Sequence, residues 1–426
     1  MPPSSKAEAL LGCGIDLGTS GCRLALVDAA GPIHQLSCPY PGAFRLANSW
    51  RLGVQQLFAQ LPEQQRQHIG AIAIDGTSGT LLACRPTGEP LAAALAYNDA
   101  CPEQANSTRA LVPNGGSAAS SSGSVARSLR LLEQLNEQPG SELLLRHQAD
   151  WLMGWLLGDW RWGEEGNNLR LGWDLLSNQW LGGIASSSWA GALPAVIPSG
   201  QLVGPIGRAA AAELQLPASC QIVSGTTDAN AAVLAAEPQE GDGIAVLGTT
   251  LVLKQFAPEP LSGPGINNHR IAGRWLVGGA SNAGGGVLRQ FFNNEQLEEL
   301  SRQINPEHST GLSLRPLPHK GERFPIDDPE LEPVLEPRPV SDALYLQALL
   351  EGLCSIERQG WQRLEALGAP KVQRVLSVGG GASNPQWRAL RQKLLNKTVL
   401  NRSKASPAAA MALLARQTAT LGQSSS

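Results

Sequence analysis

The sequence reads as an α/β protein of two lobes, and three observations lead there. Its 426 residues exceed the roughly 250–300 at which one hydrophobic core stops growing. A strand, a Gly/Thr-containing turn and a returning strand occur twice, over residues 14–27 and again over 243–254, about 230 residues apart. Polar loops rich in Gly, Ser and Thr sit at strand ends, and the chain closes on segments of helical periodicity. The lobes expected are 1–235 and 236–406, with a closing helix over 407–424 packing back on the first.

Gly14-Ile15-Asp16-Leu17-Gly18-Thr19-Ser20-Gly21 and the apolar run to Val27 predict a β-hairpin with a polar tip. Gly70 to Ile74 reads as a later strand that ends at Asp75-Gly76-Thr77-Ser78-Gly79. Residues 113–124, mostly Gly, Ser and Ala, have the composition of a mobile loop. In the second half, Leu346, Leu349, Leu350, Leu353, Ile356, Trp361, Leu364 and Leu367 recur at helical spacing, predicting one helix from about Ala343 that Gly368 ends. Val372 to Val378 reads as a strand running into Gly379-Gly380-Gly381, and Pro407 to Ala419 as an Ala-rich helix. Pro316 to Pro339, rich in Pro and charge, reads as a surface excursion.

Composition narrows the partners. The 33 Lys+Arg against 36 Asp+Glu leave a formal charge of −3, which favours a small molecule over nucleic acid. Seven scattered cysteines without a C-x-x-C pair indicate neither a disulfide framework nor a zinc site, and a reducing cytoplasmic location is expected. No apolar run approaches the roughly 18 residues of a membrane span, and a monomer or homodimer is expected.

Four loops carry chemistry, each with a plain structural alternative. Asp16 to Gly21 offers a carboxylate beside open backbone amides, suited to a metal-bound phosphate chain, or is simply a hairpin turn. Ser224 to Asn230 sets Asp228 at the start of an Ala-rich helix, where it is a catalytic acid or a helix N-cap. Gly248-Thr249-Thr250 can donate to phosphate oxygens or can serve only as a strand turn. Gly379-Gly380-Gly381 with Asn384 and Trp387 would let a flat base approach bare backbone, or is a loop-forming glycine run.

Taken together and in this order, these segments resemble the FGGY carbohydrate kinases of the actin-like ATPase superfamily, from about Gly12 to Ala410. The resemblance implies two actin-like (ribonuclease H-like) lobes flanking an ATP/sugar cleft, with ATP and Mg2+ as cofactors and a small sugar as substrate. It implies phosphate binding by Gly18, Thr19 and Ser20 and by Gly248, Thr249 and Thr250. It places adenosine at Gly380, Gly381, Asn384 and Trp387, and magnesium at Asp16. Gly278 to Gly285 is similar to the family's glycine segment near the nucleotide. Gly225-Thr226-Thr227-Asp228 matches the family's Gly-x-x-Asp segment, which makes Asp228 the base that takes the proton from the sugar hydroxyl. Such a division of labour is chemically sufficient, because phosphoryl transfer is mostly positioning and charge neutralisation. No G-x-x-x-x-G-K-[ST] stretch competes.

The sugar is read from the segment after the strand at Ile74. Xylulose-specific members carry Gln-Met-His-Gly there; this chain has Gly76-Thr77-Ser78-Gly79, closer to the ribulose and ribitol branch, and its short length is similar to compact D-ribulose kinases. D-ribulose is therefore the expected substrate, with D-xylulose, a polyol, or a non-catalytic sugar sensor as alternatives. Asp16, Asp75, Ser78, Asp99 and Asp228 are the candidate sugar ligands. The family's Trp-x-Asp-x-Arg segment survives only as Tyr97-Asn98-Asp99-Ala100, without its Arg. Six tryptophans between Trp151 and Trp180 line either the sugar site or the core.

Overall fold

A computed structural model of the chain describes residues 10–113, 116–136 and 142–424. Two compact units result. One holds the described residues up to Ala235 together with Arg270–Gly273 and those from Ser406 onward; the other holds Ala236–His269 and Arg274–Ala405.

The first unit is built on a six-stranded sheet. Its strands are β1 (Leu11–Leu17), β2 (Gly21–Val27), β3 (Pro32–Pro39), β4 (Ile69–Gly76), β5 (Leu202–Pro205) and β6 (Gln221–Thr227), in the order β5-β6-β4-β1-β2-β3. β1, β4 and β6 run parallel, and β2, β3 and β5 run antiparallel to their neighbours. All seven residues of β1 are buried, as expected of a strand covered on both faces. Side chains that alternate across the sheet explain what covers each face. Cys13, Ile15, Leu17, Ile72 and Ile74 join one core with Trp50, Val54 and Leu57 of helix α1 (Ala47–Ala59). Between β4 and β6 lie helices α2 (Ser124–Leu135) and α3 (Gln148–Leu157), and α3 adds Trp151, Leu152 and Met153 to the same core.

Along most of β1 and β4 the opposite face carries small residues, Gly12, Gly14, Ala71 and Ala73, joined by Val223 of β6, and on it lies the C-terminal helix Pro407–Ser424. A Cβ on Gly14 would stand 1.9 Å from the Ala408 carbonyl oxygen, so helix and strand backbones meet where no side chain fits. Helix α4 (Asp228–Ala235) follows β6 directly.

The second unit repeats the plan. Strands β7 (Asp242–Leu247), β8 (Leu251–Ala257), β9 (Ile266–Ile271), β10 (Arg274–Ala280), β11 (Arg374–Val378) and β12 (Thr398–Asn401) form a sheet in the order β9-β10-β8-β7-β11-β12. The β7–β8 hairpin is antiparallel, while β11 runs parallel to both β7 and β12. Helices α5 (Asn294–Arg302), α6 (Asp342–Ala366) and α7 (Pro385–Leu395) complete it. The leucine pattern becomes the buried face of α6, whose first turn is capped by the Ser341 hydroxyl accepting from the Leu344 N–H. At the other end Gly368 adopts φ +107°, the left-handed geometry that glycine supplies at low cost. A fully buried ion pair, Glu357 with Arg391 at 2.6 Å, ties α6 to α7, and Arg391 also donates to the Ser377 hydroxyl on β11.

Two expectations change. Pro316 to Pro339 forms no regular element, but it is not a surface excursion: Leu317 and Phe324 are buried in the core, and the Glu322 carboxylate accepts from Ser281 Oγ and Asn282 N–H. Two apolar side chains and one acid that finds donors inside outweigh the polar composition around them. Within residues 113–124, 114 and 115 lie outside the described residues. The remainder contains a 3-10 turn at Gly116–Ala119 with Ala118 buried, leading into α2.

Candidate active site

Parallel strands that end together bring their terminal side chains together, and in the first unit this gathers three carboxylates. Asp16 near the end of β1 lies in register with Asp75 near the end of β4, and Asp75 with Thr226 of β6, two residues before Asp228. Asp75 is wholly buried and neither of its oxygens has a hydrogen-bond partner. Burial first, then the negative charges of Asp16 and Asp228, hold its pKa well above the usual carboxylate range. Asp16 is buried with one oxygen 2.7 Å from Arg23 Nη1. Asp228 is half-buried, and its Oδ1 accepts from the Ala229 N–H.

The first turn of the helix is capped by the neighbour of Asp228 as well. Asp228 is the first residue of α4, and the Thr227 hydroxyl accepts from the Asn230 N–H at 3.3 Å. Thr227 therefore stands at the N-cap position.

Asp75 makes a stability prediction. The unfolded pKa of an Asp is about 3.9 and the folded value is raised, so the folded chain holds the proton more tightly. The stability this group contributes is complete below the unfolded pKa and is lost as pH rises toward the folded value. Asp75→Asn removes that liability and gives Asp16 an amide donor. It is expected to raise the melting temperature, by more at pH 8 than at pH 5, in calorimetry at the two pH values. A gain independent of pH would refute the assignment.

Gly18, Thr19 and Ser20 form the tip of the β1–β2 hairpin, with Thr19 and Ser20 exposed. The turn is closed by the Gly18 N–H donating to the Gly21 carbonyl, and Tyr40 Oη donates to the Gly18 carbonyl at 2.9 Å.

The loops after β4 and around Tyr97 are held by Arg127, whose guanidinium donates to the carbonyls of Gly79, Tyr97, Asp99 and Ser122. Burial pushes its pKa down to about 10, which leaves it charged at neutral pH. Ser78 and Asp99 thus sit on segments tied to one side chain. The Asp99 carboxylate accepts from both terminal nitrogens of Arg45 and from the Ala96 N–H, so it is an ion-paired group rather than a solvated loop acid. Thr77 donates through N–H and hydroxyl to Gln148 Oε1. The tryptophans serve mainly packing: Trp151 and Trp155 are buried, and Trp151 meets Trp50 edge-on.

The second unit holds a cavity of about 810 Å³ past the ends of β7 and β11, within the roughly 300–1,000 Å³ typical of small-molecule sites. Gly248, Thr249, Gly285, Gly380, Gly381, Asn384 and Trp387 all border it; Thr250 does not, and its carbonyl accepts from the Gly248 N–H. Asn384 is engaged at both ends, Oδ1 accepting from the Trp387 N–H and Nδ2 donating to Ser301 Oγ. Trp387 is 5% exposed and a Cβ on Gly381 would lie 2.4 Å from its ring. It supports the glycine loop from beneath, leaving little face for stacking.

Arg23, Arg45, Arg127 and Gln148 escaped the sequence reading, as did Arg289, Ser301 and Arg302 at the cavity. Only Arg23 carried a usable signal: hairpin register sets it opposite Asp16. Among the described residues no three His, Cys, Asp or Glu side chains are grouped to hold a metal ion, and no helix is long and apolar enough to cross a membrane. A divalent cation beside Asp16 would take its remaining ligands from phosphate and water.

Comparison with known proteins adds the relatives. Residues 243–418 match the C-terminal domain of the FGGY family of carbohydrate kinases. The xylulose kinase of Lactococcus lactis subsp. lactis is 24% identical over 422 residues, covering 91% of this chain and 83% of that protein. Xylulose kinase from Rhodospirillum rubrum superposes with a TM-score of 0.79 at 19% identity, covering 96% of this chain and 90% of its own. Plasmodium falciparum glycerol kinase with ADP gives 0.79 at 14%, covering 97% and 90%. The structural likenesses establish a shared α/β fold with two sheet-containing lobes.

Proposed function

We propose that the chain, whose residues 243–418 match the C-terminal domain of the FGGY family of carbohydrate kinases, transfers the γ-phosphate of ATP to a hydroxyl of a ketopentose, D-ribulose giving D-ribulose 5-phosphate. One observation carries the reading: Asp228 presents a half-buried carboxylate beside Asp16 and Asp75 while Thr227 meets the capping need of the helix. Its carboxylate accepts the proton of the sugar hydroxyl. Burial keeps Asp75 inclined to stay neutral, limiting the repulsion that three ionised carboxylates would create. Asp16 holds magnesium, which when bound with ATP neutralises phosphate charge. In the first unit Gly18, Thr19 and Ser20 are the turn we assign to phosphate; in the second the assignment falls on Gly248 and Thr249, which border the cavity, and not on Thr250, which does not. The adenosine lies along Gly380 and Gly381, with Asn384 and Trp387 fixing that loop.

The acceptor is read from the first unit. Thr77 and Thr80 hydroxyls bond each other at 2.7 Å and Arg127 holds the Gly79 carbonyl at 3.0 Å. Ser78 and Asp99 are the groups we assign to the sugar; Asp75, wholly buried, is not in a position to touch it. D-xylulose is the second reading, favoured by the xylulose kinase relative. The test is ATP consumption with D-ribulose, D-xylulose, ribitol and glycerol offered in parallel. D-ribulose is expected to give the highest kcat/KM; equal or better turnover of D-xylulose overturns the choice of sugar, and no acceptor above background overturns the kinase reading.

A further inference from the structure

Two cysteines stand directly opposite each other beneath the hairpin tip of the first unit. Cys22 of β2 pairs with Cys38 of β3 in the antiparallel register, and their Sγ atoms are 3.6 Å apart. Facing residues of such a pair have Cα atoms about 4.5–5.5 Å apart, inside the roughly 4.4–6.8 Å that a disulfide spans. Side-chain rotation can therefore close the sulfurs without separating the strands. Access is unequal: β3 is the sheet edge and Cys38 is half-buried, whereas Cys22 is buried. The other five cysteines are all buried.

We propose that Cys22 and Cys38 form a thiol-oxidation site that a peroxide-class, two-electron oxidant converts to an intramolecular disulfide. The Cys38 thiolate attacks one peroxide oxygen, the O–O bond breaks, and the departing hydroxide is protonated to water. Cys38 is then a sulfenic acid. The Cys22 sulfur attacks it, the S–O bond breaks, and the second water leaves with the Cys22 proton. Two thiols and one hydrogen peroxide thus give one disulfide and two waters. Burial, then the neighbouring Cys38, push the Cys22 thiol pKa up, which suits it to the resolving step rather than the first attack.

The bridge would act on the phosphate turn. Gly21, which closes the turn with Gly18, pairs with Pro39, and a Cβ on it would lie 2.3 Å from the Cys38 carbonyl oxygen. The strands already touch at Gly21, so a Cys22–Cys38 bridge locks together the two strands that carry the turn and Tyr40. Tyr40, two residues past Cys38, holds the Gly18 carbonyl. This coupling rests on the kinase reading; the thiol chemistry does not.

The experiment treats the full chain with hydrogen peroxide, alkylates free thiols and digests without reductant. The expected product is a Cys22–Cys38 linked peptide, lighter by two hydrogens than its parts and released by dithiothreitol. Cys22→Ser should instead accumulate Cys38 sulfenic and sulfinic acids. Native protein that keeps both thiols alkylatable at doses that oxidise Cys38 in Cys22→Ser overturns the site, as does over-oxidation of Cys38 at the same rate in both proteins. Bridged protein is expected to phosphorylate sugar about tenfold or more slowly, reversibly with dithiothreitol. Bridged protein with unchanged turnover overturns the coupling. Absence of phosphorylation before oxidation counts instead against the kinase reading, with the linked peptide as the separate readout.

Discussion

Asp228→Asn is expected to lower sugar-dependent phosphorylation by about 10²–10⁴-fold, the range typical of losing a general base, while leaving nucleotide affinity and melting temperature close to native. The substitution keeps the side chain's size and its Oδ1, so the bond from the Ala229 N–H at 2.7 Å can persist. It removes only the group that can accept a proton. Capping is unaffected, because the first turn of the helix is held by the Thr227 hydroxyl. The loss should therefore fall on kcat, with little change in the concentration of ATP needed for half-saturation. Steady-state kinetics with D-ribulose and ATP, alongside a thermal melt, separates the possibilities. Near-normal turnover by a folded Asp228→Asn protein would defeat the assignment, whereas a variant that melts far below native would show that the carboxylate carries structure as well.

The parts legible in the sequence were those whose geometry is local. A hairpin is written in neighbouring residues, so both Gly/Thr turns fell where the strand pattern put them. The three aspartates were legible singly, since each follows a short apolar strand. Their meeting was not, because it depends on β1, β4 and β6 being parallel neighbours, with Asp75 and Thr226 in register across 151 positions of chain. Arg127 shows the same limit from the other side. A buried cation bonded to four carbonyls has no acidic partner to announce it, and the carbonyls at Gly79 and Tyr97 lie 48 and 30 residues away. Asp99 looked incomplete without an Arg two residues on; the structure supplies Arg45 from 54 residues upstream. Composition misled at Pro316–Pro339, where a few buried side chains outweigh many exposed charges. Trp387, expected beside the adenosine, is packed against the glycine run at Gly381.

That packing makes the second large effect predictable. Gly381→Val is expected to weaken ATP and ADP binding by about tenfold or more while leaving the first unit intact. A Cβ at residue 381 would lie 2.4 Å from the Trp387 ring and 2.9 Å from the Leu247 Cβ, and neither can retreat. Trp387 is buried, while Leu247 ends β7 between β8 and β11. Overpacking of this kind typically costs about 1–3 kcal/mol. A factor of ten in affinity is about 1.4 kcal/mol, so a strain released by moving the loop is of the right size to be read as lost binding. The loop that moves is the one bordering the cavity at Gly380, Gly381 and Asn384. Gly380 provides the control: a Cβ there meets nothing within 4 Å, so Gly380→Ala should bind nucleotide far better than Gly381→Val. Calorimetric titration of each variant with ADP distinguishes them. Native affinity in a folded Gly381→Val protein would mean that the nucleotide does not occupy this cavity.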